Sequence, residues 1–159
     1  MLNKIQGIFD ADALLGQSTA EKILNSSDPI QSFILCHRPN NSRLKAAIAT
    51  KIALANISEK FQSIIDINLD YVDSAELHLE NVFSKIGSLK TKFSVIYLEA
   101  TDLQFLNNQN IINMIYNLSK TIRKFNMKLV ISLPISDKTN LIGYKFNLEN
   151  FIFITFEQE

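Results

Sequence analysis

A chain of 159 residues with 47% hydrophobic content suffices for one domain of ordinary size, whose folding buries roughly 70% of the surface that the unfolded form exposes. Sixteen Lys plus Arg balance sixteen Asp plus Glu, which counts against a general polyanion binder, a class marked by strong basic excess. Four Gly, three Pro and 11 Phe exclude a disordered or fibrous chain and supply strand-forming side chains.

Residues 1–12 hold one Lys, two Asp and no sustained apolar core, so no secretory leader is expected. No apolar run approaches the roughly 18 residues that cross a bilayer, and a cytoplasmic location is the default. Residues 5–10 read as a surface turn, after which Ser18 and Glu21 predict a short capped helix. The run Phe33-Ile34-Leu35-Cys36 predicts the first strand. Behind it Leu44, Ala47, Ile48, Ile52 and Ala55 form one stripe, with Lys45 and Lys51 outside it. That is an amphipathic helix, which Asn40, Asn41 or Ser42 would cap.

Residues 61–69 predict a second strand, in which Ile64-Ile65 passes into the alternation Asp66-Ile67-Asn68-Leu69. Asp73 and Glu76 have capping-box spacing, and Leu79, Val82, Phe83 and Ile86 repeat at helical intervals up to Gly87-Ser88. Phe93-Ser94-Val95-Ile96-Tyr97-Leu98 is short, β-rich and bounded by polar residues, as a third strand should be. Beyond Thr101 and Asp102, an apolar stripe of Ile111, Ile112, Ile115, Leu118, Ile122 and Phe125 predicts a long helix. Its carboxyl end carries Lys120, Arg123 and Lys124, where cations oppose the helix dipole favourably. Lys128-Leu129-Val130-Ile131-Ser132-Leu133, stopped by Pro134, predicts a fourth strand, and residues 151–156 a fifth. The alternation predicts one α/β domain over residues 1–159, with a three-layer α/β/α build and a mainly parallel five-stranded sheet. A ligand would sit beyond the carboxyl ends of the strands.

Few residues there are armed for chemistry. Cys36 is the lone cysteine, so no internal disulfide forms and a reducing compartment is favoured. His37 and His78 stand far apart, without the spacing of a metal motif, and no G-x-S-x-G elbow exists. Adjacent strand residues point to opposite faces, so Cys36 and His37 do not pair. The first strand-loop-helix is the place to seek a phosphate loop, G-x-x-x-x-G-K-[ST]. Its slots fall on His37-Arg38-Pro39-Asn40-Asn41-Ser42-Arg43-Leu44. Both glycines, the lysine and the magnesium-binding hydroxyl are replaced. Side chains crowd the cradle, proline removes a donor, and leucine ligates no metal. Positive charge remains, so Arg38, Asn40, Asn41, Ser42, Arg43 and Lys45 are candidate contacts for phosphate or a partner. The plain alternative is a β-α turn opened by Asn and Ser caps.

Tyr97-Leu98-Glu99-Ala100-Thr101-Asp102-Leu103-Gln104-Phe105-Leu106 looks like the acidic strand end of P-loop ATPases. Within it, Asp102-Leu103-Gln104-Phe105-Leu106 resembles the D-I-Q-F-L run of the bacterial replication initiator (DnaA) family. Lys128-Leu129-Val130-Ile131-Ser132 is similar to that family's next strand, K-x-[IV]-V-[IL]-[ST]. The similar stretch covers residues 33–136, and only the third-to-fourth-strand part matches in residue detail. Ile5-Gln6-Gly7-Ile8-Phe9-Asp10 with Leu14-Leu15-Gly16 also resembles the lead-in of RecA-like proteins of the circadian-clock ATPase type. The resemblance implies a P-loop NTPase-like core of the RecA or AAA+ kind. It also implies that a strand-end acid, Glu99 or Asp102, inherits the slot that orients magnesium and water. The family's adjacent acidic pair is here spread over Glu99-Ala100-Thr101-Asp102, and no lid domain or arginine sensor is expected after Glu159.

The leading expectation is a non-hydrolysing P-loop-type domain, a pseudo-ATPase without catalytic residues, cofactor or metal. Its partner would be another protein, a related ATPase or itself, in DNA replication, recombination or their regulation. Residues 136–156 would then offer an edge strand for association. One alternative is nucleic-acid binding through Arg38, Arg43, Lys45 and Lys51. Another is a small-molecule enzyme using Asp66, Glu99 and Asp102 at the strand ends.

Overall fold

The computed structural model describes residues 2–26, 31–37, 44–58, 64–89, 94–125, 127–147 and 149–156. The apolar runs are strands β1 (Ser32–Cys36), β2 (Ile64–Asn68), β3 (Ser94–Glu99), β4 (Met127–Leu133) and β5 (Phe151–Thr155). They pair in the order β2-β3-β4-β1-β5, every pair parallel. The helices are α1 (Leu2–Leu24), α2 (Leu44–Ser58), α3 (Val72–Leu89) and α4 (Gln109–Thr121).

The order explains why helices cover both faces. From β1 the chain crosses to the far edge at β2, then returns through β3 and β4 and passes over β1 to β5. Right-handed crossovers in opposite directions lie on opposite faces. Accordingly α1 and α2 cover Phe33, Leu35, Val95, Tyr97 and Val130. On the other face α3, α4 and residues 135–146 cover Ile34, Ile96, Leu98, Leu129 and Ile131. Strands buried on both faces read as continuous apolar runs, which is how β1 and β4 appear in the sequence.

Several boundaries differ from the sequence reading. The turn expected at residues 5–10 and the short helix expected from Ser18 are one 23-residue helix, α1, with Ser18 and Glu21 inside it. Its inward Ala20 and Ile23 are fully buried, and tertiary packing overrides the local capping signal. Asp73 lies in the first turn of α3, one residue inside its start, and Glu76 accepts a hydrogen bond from Asn108 Nδ2 at 3.1 Å. The expected box is thus replaced by a tie between α3 and α4. Helix α3 also continues through Gly87 and Ser88 to Leu89. The last helix ends as α at Thr121 and tightens to a 3-10 turn at Ile122–Lys124. There Gln31 Nε2 donates to the carbonyls of Ile122, Phe125 and Met127 at 2.9, 2.6 and 3.0 Å.

Candidate functional site

Alternation along β3 sends Tyr97 and Glu99 to the α2 face. The register places Asp66 of β2 beside Tyr97 and Asn68 beside Glu99. Lys51, midway along α2, reaches down onto this surface. Its ammonium lies 3.2 Å from Glu99 Oε1 and forms a closer ion pair with Asp66 Oδ2. It also stands 5.6 Å from the centroid of the Tyr97 ring, within cation–π range. Tyr97 is itself buried, its hydroxyl donating to Ala47 O at 3.4 Å. Burial alone pulls the Lys51 pKa down, but hydrogen bonds to Asp66 and Glu99 and their negative charge outweigh it, so the ammonium is held above the ordinary lysine value. Burial likewise pushes the Tyr97 phenol above its usual range.

The remaining acids at the strand ends are also engaged. Asp70 Oδ1 accepts from Thr101 N at 2.9 Å, and its Oδ2 accepts from Thr101 Oγ1 at 2.8 Å. Asp102 Oδ1 accepts from Gln104 N at 2.9 Å, as a turn residue does. Asp137 caps the 3-10 turn Lys138–Leu141. A carboxylate committed to backbone donors or an ammonium is poorly placed to bind magnesium or accept a proton.

At the end of β1, Cys36 is buried and its thiol is pushed up to about 11, by burial first, with a hydrogen bond to Thr155 opposing and the charge of Asp137 adding. Such a thiol stays protonated and unreactive near neutrality. His37, in the first glycine slot, is buried with its backbone N–H donating to Leu133 O at 3.1 Å. Burial lowers its pKa. Among the described residues, no group of three His, Cys, Asp or Glu side chains is placed to hold a metal ion.

Of the residues singled out from sequence, Arg38, Asn40, Asn41, Ser42 and Arg43 lie outside the described residues. Lys45 is exposed in the first turn of α2. Asp66 and Glu99 are brought together through Lys51, whereas Asp102 stands apart in its own turn. The sequence reading set Lys51 outside the apolar stripe of α2 and offered it to nucleic acid; in the structure its side chain is turned onto the sheet instead. That Lys51 and Tyr97 join the strand-end acids was missed. The available signal was that Asp66 and Glu99 occupy the same face of neighbouring strands and need a counter-charge there.

No family model and no curated protein matches the chain. Solved structures do resemble it. A chain in the structure of Drosophila ORC bound to GC-rich DNA and Cdc6 superposes with a TM-score of 0.55 at 10% identity, over 99% of this chain and 31% of that one. RIF2 of Saccharomyces cerevisiae gives 0.50 at 11% identity, over 99% of this chain and 64% of that one. PCH-2 of C. elegans gives 0.48 at 15% identity, over 98% and 42%. The fold, three-layer α/β/α with a parallel five-stranded sheet, is P-loop NTPase-like and is shared with the first two of these. The chain spans less than two thirds of the first two chains it matches. Likeness at this identity speaks for the scaffold and leaves the chemistry to the side chains.

Proposed function

We propose that this chain is a non-hydrolysing P-loop-type domain that acts through protein–protein contacts, as a regulator or adaptor in DNA replication or recombination. The observation that carries the reading is the seat of Lys51. In the position where a P-loop ATPase would keep a strand-end acid for magnesium and water, Glu99 faces an ammonium 3.2 Å away, shared with Asp66. A lysine there supplies the positive charge that a bound metal would otherwise bring, without its open coordination positions. The sequence at residues 37–44, which lacks both glycines, the lysine and the hydroxyl of a phosphate loop, supports the same reading. So does His37, a buried residue with a bulky side chain in the slot where a phosphate loop has glycine. The replication setting is supported by the DnaA-like run at residues 102–106 and by the fold shared with a chain of the DNA-bound ORC structure. The nucleic-acid reading is weakened because Lys51 is spent on the sheet.

Isothermal calorimetry with ATP tests the proposal. The expected outcome is no saturable heat that depends on magnesium. Micromolar, magnesium-dependent ATP binding would overturn it.

A further inference from the structure

The sheet ends on two strands of unlike chemistry. At one edge β2 carries Asp66 and Asn68. At the other, β5 reads Phe151-Ile152-Phe153-Ile154-Thr155, without a charge, a proline or a glycine. One side of β5 pairs with β1, and among the described residues no strand pairs with the other. Proteins that stay single blunt such an edge with lysine, proline or a bulge. β5 holds neither residue, its register with β1 runs without a bulge, and Ile152 is 39% exposed.

The register decides which backbone groups are left open. Phe156 N donates to Cys36 O at 3.2 Å. In a parallel ladder the N–H and C=O of one residue face one neighbour strand, while those of the next residue face the other way. Ile152, Ile154 and Phe156 therefore bond to β1, and Phe151, Phe153 and Thr155 direct their N–H and C=O groups outward. These open residues are symmetric about Phe153. A second copy turned by a two-fold axis at that point presents the same open side, running antiparallel. Phe153 then exchanges both backbone bonds with its counterpart, and Phe151 exchanges both with Thr155 of the copy. The side chains match in the same register. On the face of Phe151 and Phe153, phenylalanine meets phenylalanine across the axis, and on the face of Ile154, isoleucine meets isoleucine. The nearest acids in sequence, Glu149 and Glu157, lie outside this five-residue ladder.

We infer that β5 pairs antiparallel with β5 of a second copy of this chain, joining two sheets into one across a two-fold axis. A second copy is selected because the open backbone groups, both side-chain faces and the absence of charge all repeat under that rotation. Like copies therefore meet without like-charge repulsion. The contact also closes on itself, since each copy has one such edge. A head-to-tail contact of β5 with β2 would instead leave a free edge at each end and grow into fibres, and it would set the apolar strand against Asp66 and Asn68. The inference rests on the reading above in taking protein contact as the mode of action, and names the partner. ATP binding decides that reading, whereas association is measured without nucleotide, so the two fail separately.

Sedimentation of the full chain over a concentration series reads the association, and amide exchange with isotope-filtered NOEs in a half-labelled mixture reads the contact. The expected result is a reversible monomer–dimer equilibrium in which the amides of Phe151, Phe153 and Thr155 exchange more slowly as concentration rises, while those of Ile64, Asp66 and Asn68 do not change. An α-proton NOE should join Ile152 of one copy to Ile154 of the other, the close pair between the bonded ones. Thr155→Pro removes an outward donor without touching the β1 ladder and should weaken association by about tenfold, whereas Asn68→Lys, at the other edge, should leave it unchanged. A chain that stays monomeric at the concentration of the NOE sample overturns the inference and leaves the edge to a strand of another protein. Fibres, a dimer whose β5 amides do not respond, or one that covers the exposed Leu14, Ile48 and Ile52 of α1 and α2 instead, also overturn it. The NOE comparison uses the unmodified protein, so the outcome does not hang on a variant's folding.

Discussion

Lys51 is the residue on which the local electrostatics turn. Its ammonium pairs with Asp66 and Glu99, both more than a third exposed, so each contact is worth little and is screened by salt. Lys51→Met should lower stability by about 1 kcal/mol at low salt, and the difference from the parent should shrink as sodium chloride is raised in denaturant titrations. A gap that does not depend on salt would mean the side chain matters for packing alone. The raised pKa of Lys51 stabilises the fold below the ordinary lysine value of 10.5, and this contribution is lost as pH rises through the higher folded value. His37 works in the other direction. Burial lowers its pKa below 6.5, so between the folded and unfolded values the unfolded chain binds a proton that the folded chain does not. Stability therefore falls as pH drops through 6.5 toward the folded value. Chemical denaturation from roughly pH 7 to 5 should show that slope, and His37→Gln should flatten it; an identical slope in the variant would rule the imidazole out.

At the scale of elements, the contact between α1 and α2 is set by a glycine. A Cβ at Gly16 would lie 2.6 Å from Ala49 C and from Thr50 N, both backbone atoms that cannot rotate aside. Alanine improves helix propensity by about 0.5–1 kcal/mol, but overpacking against backbone costs about 1–3 kcal/mol. Gly16→Ala should thus lower the melting temperature by a few degrees, while Gly143→Ala, with nothing within 4 Å, should leave it nearly unchanged. Equal melting temperatures for the two variants would place the helices further apart than described. The strands and the helix at Gln109–Thr121 were legible in the sequence because burial on both faces, or on one stripe, leaves a periodic apolar trace. Helix α1 was not. Ser18, Glu21 and Gly16 are ordinary punctuation marks in isolation, and only packing against α2 makes them interior to one helix. Glu76 misled for a similar reason, since its hydrogen bond goes to Asn108, 32 residues away.

For the whole molecule, the strand order β2-β3-β4-β1-β5 accounts for two-sided helix cover and gathers the carboxyl ends of β1 and β3 near α2. The α/β class could be read from alternation of element types, but the order of strands could not, because it is fixed by crossovers that leave no local mark. The candidate site was half legible. Asp66 and Glu99 were visible as strand-end acids, while their shared ammonium depends on how α2 lies across the sheet. The same geometry carries the central proposal, that a P-loop NTPase-like fold has its strand-end acids Asp66 and Glu99 occupied from within. Phosphate release from radiolabelled ATP, with protein in molar excess and magnesium present, tests that claim most directly. The account predicts release no faster than in buffer alone, for the parent and for Glu99→Gln alike. Magnesium-dependent release by the parent that Glu99→Gln abolishes would contradict it.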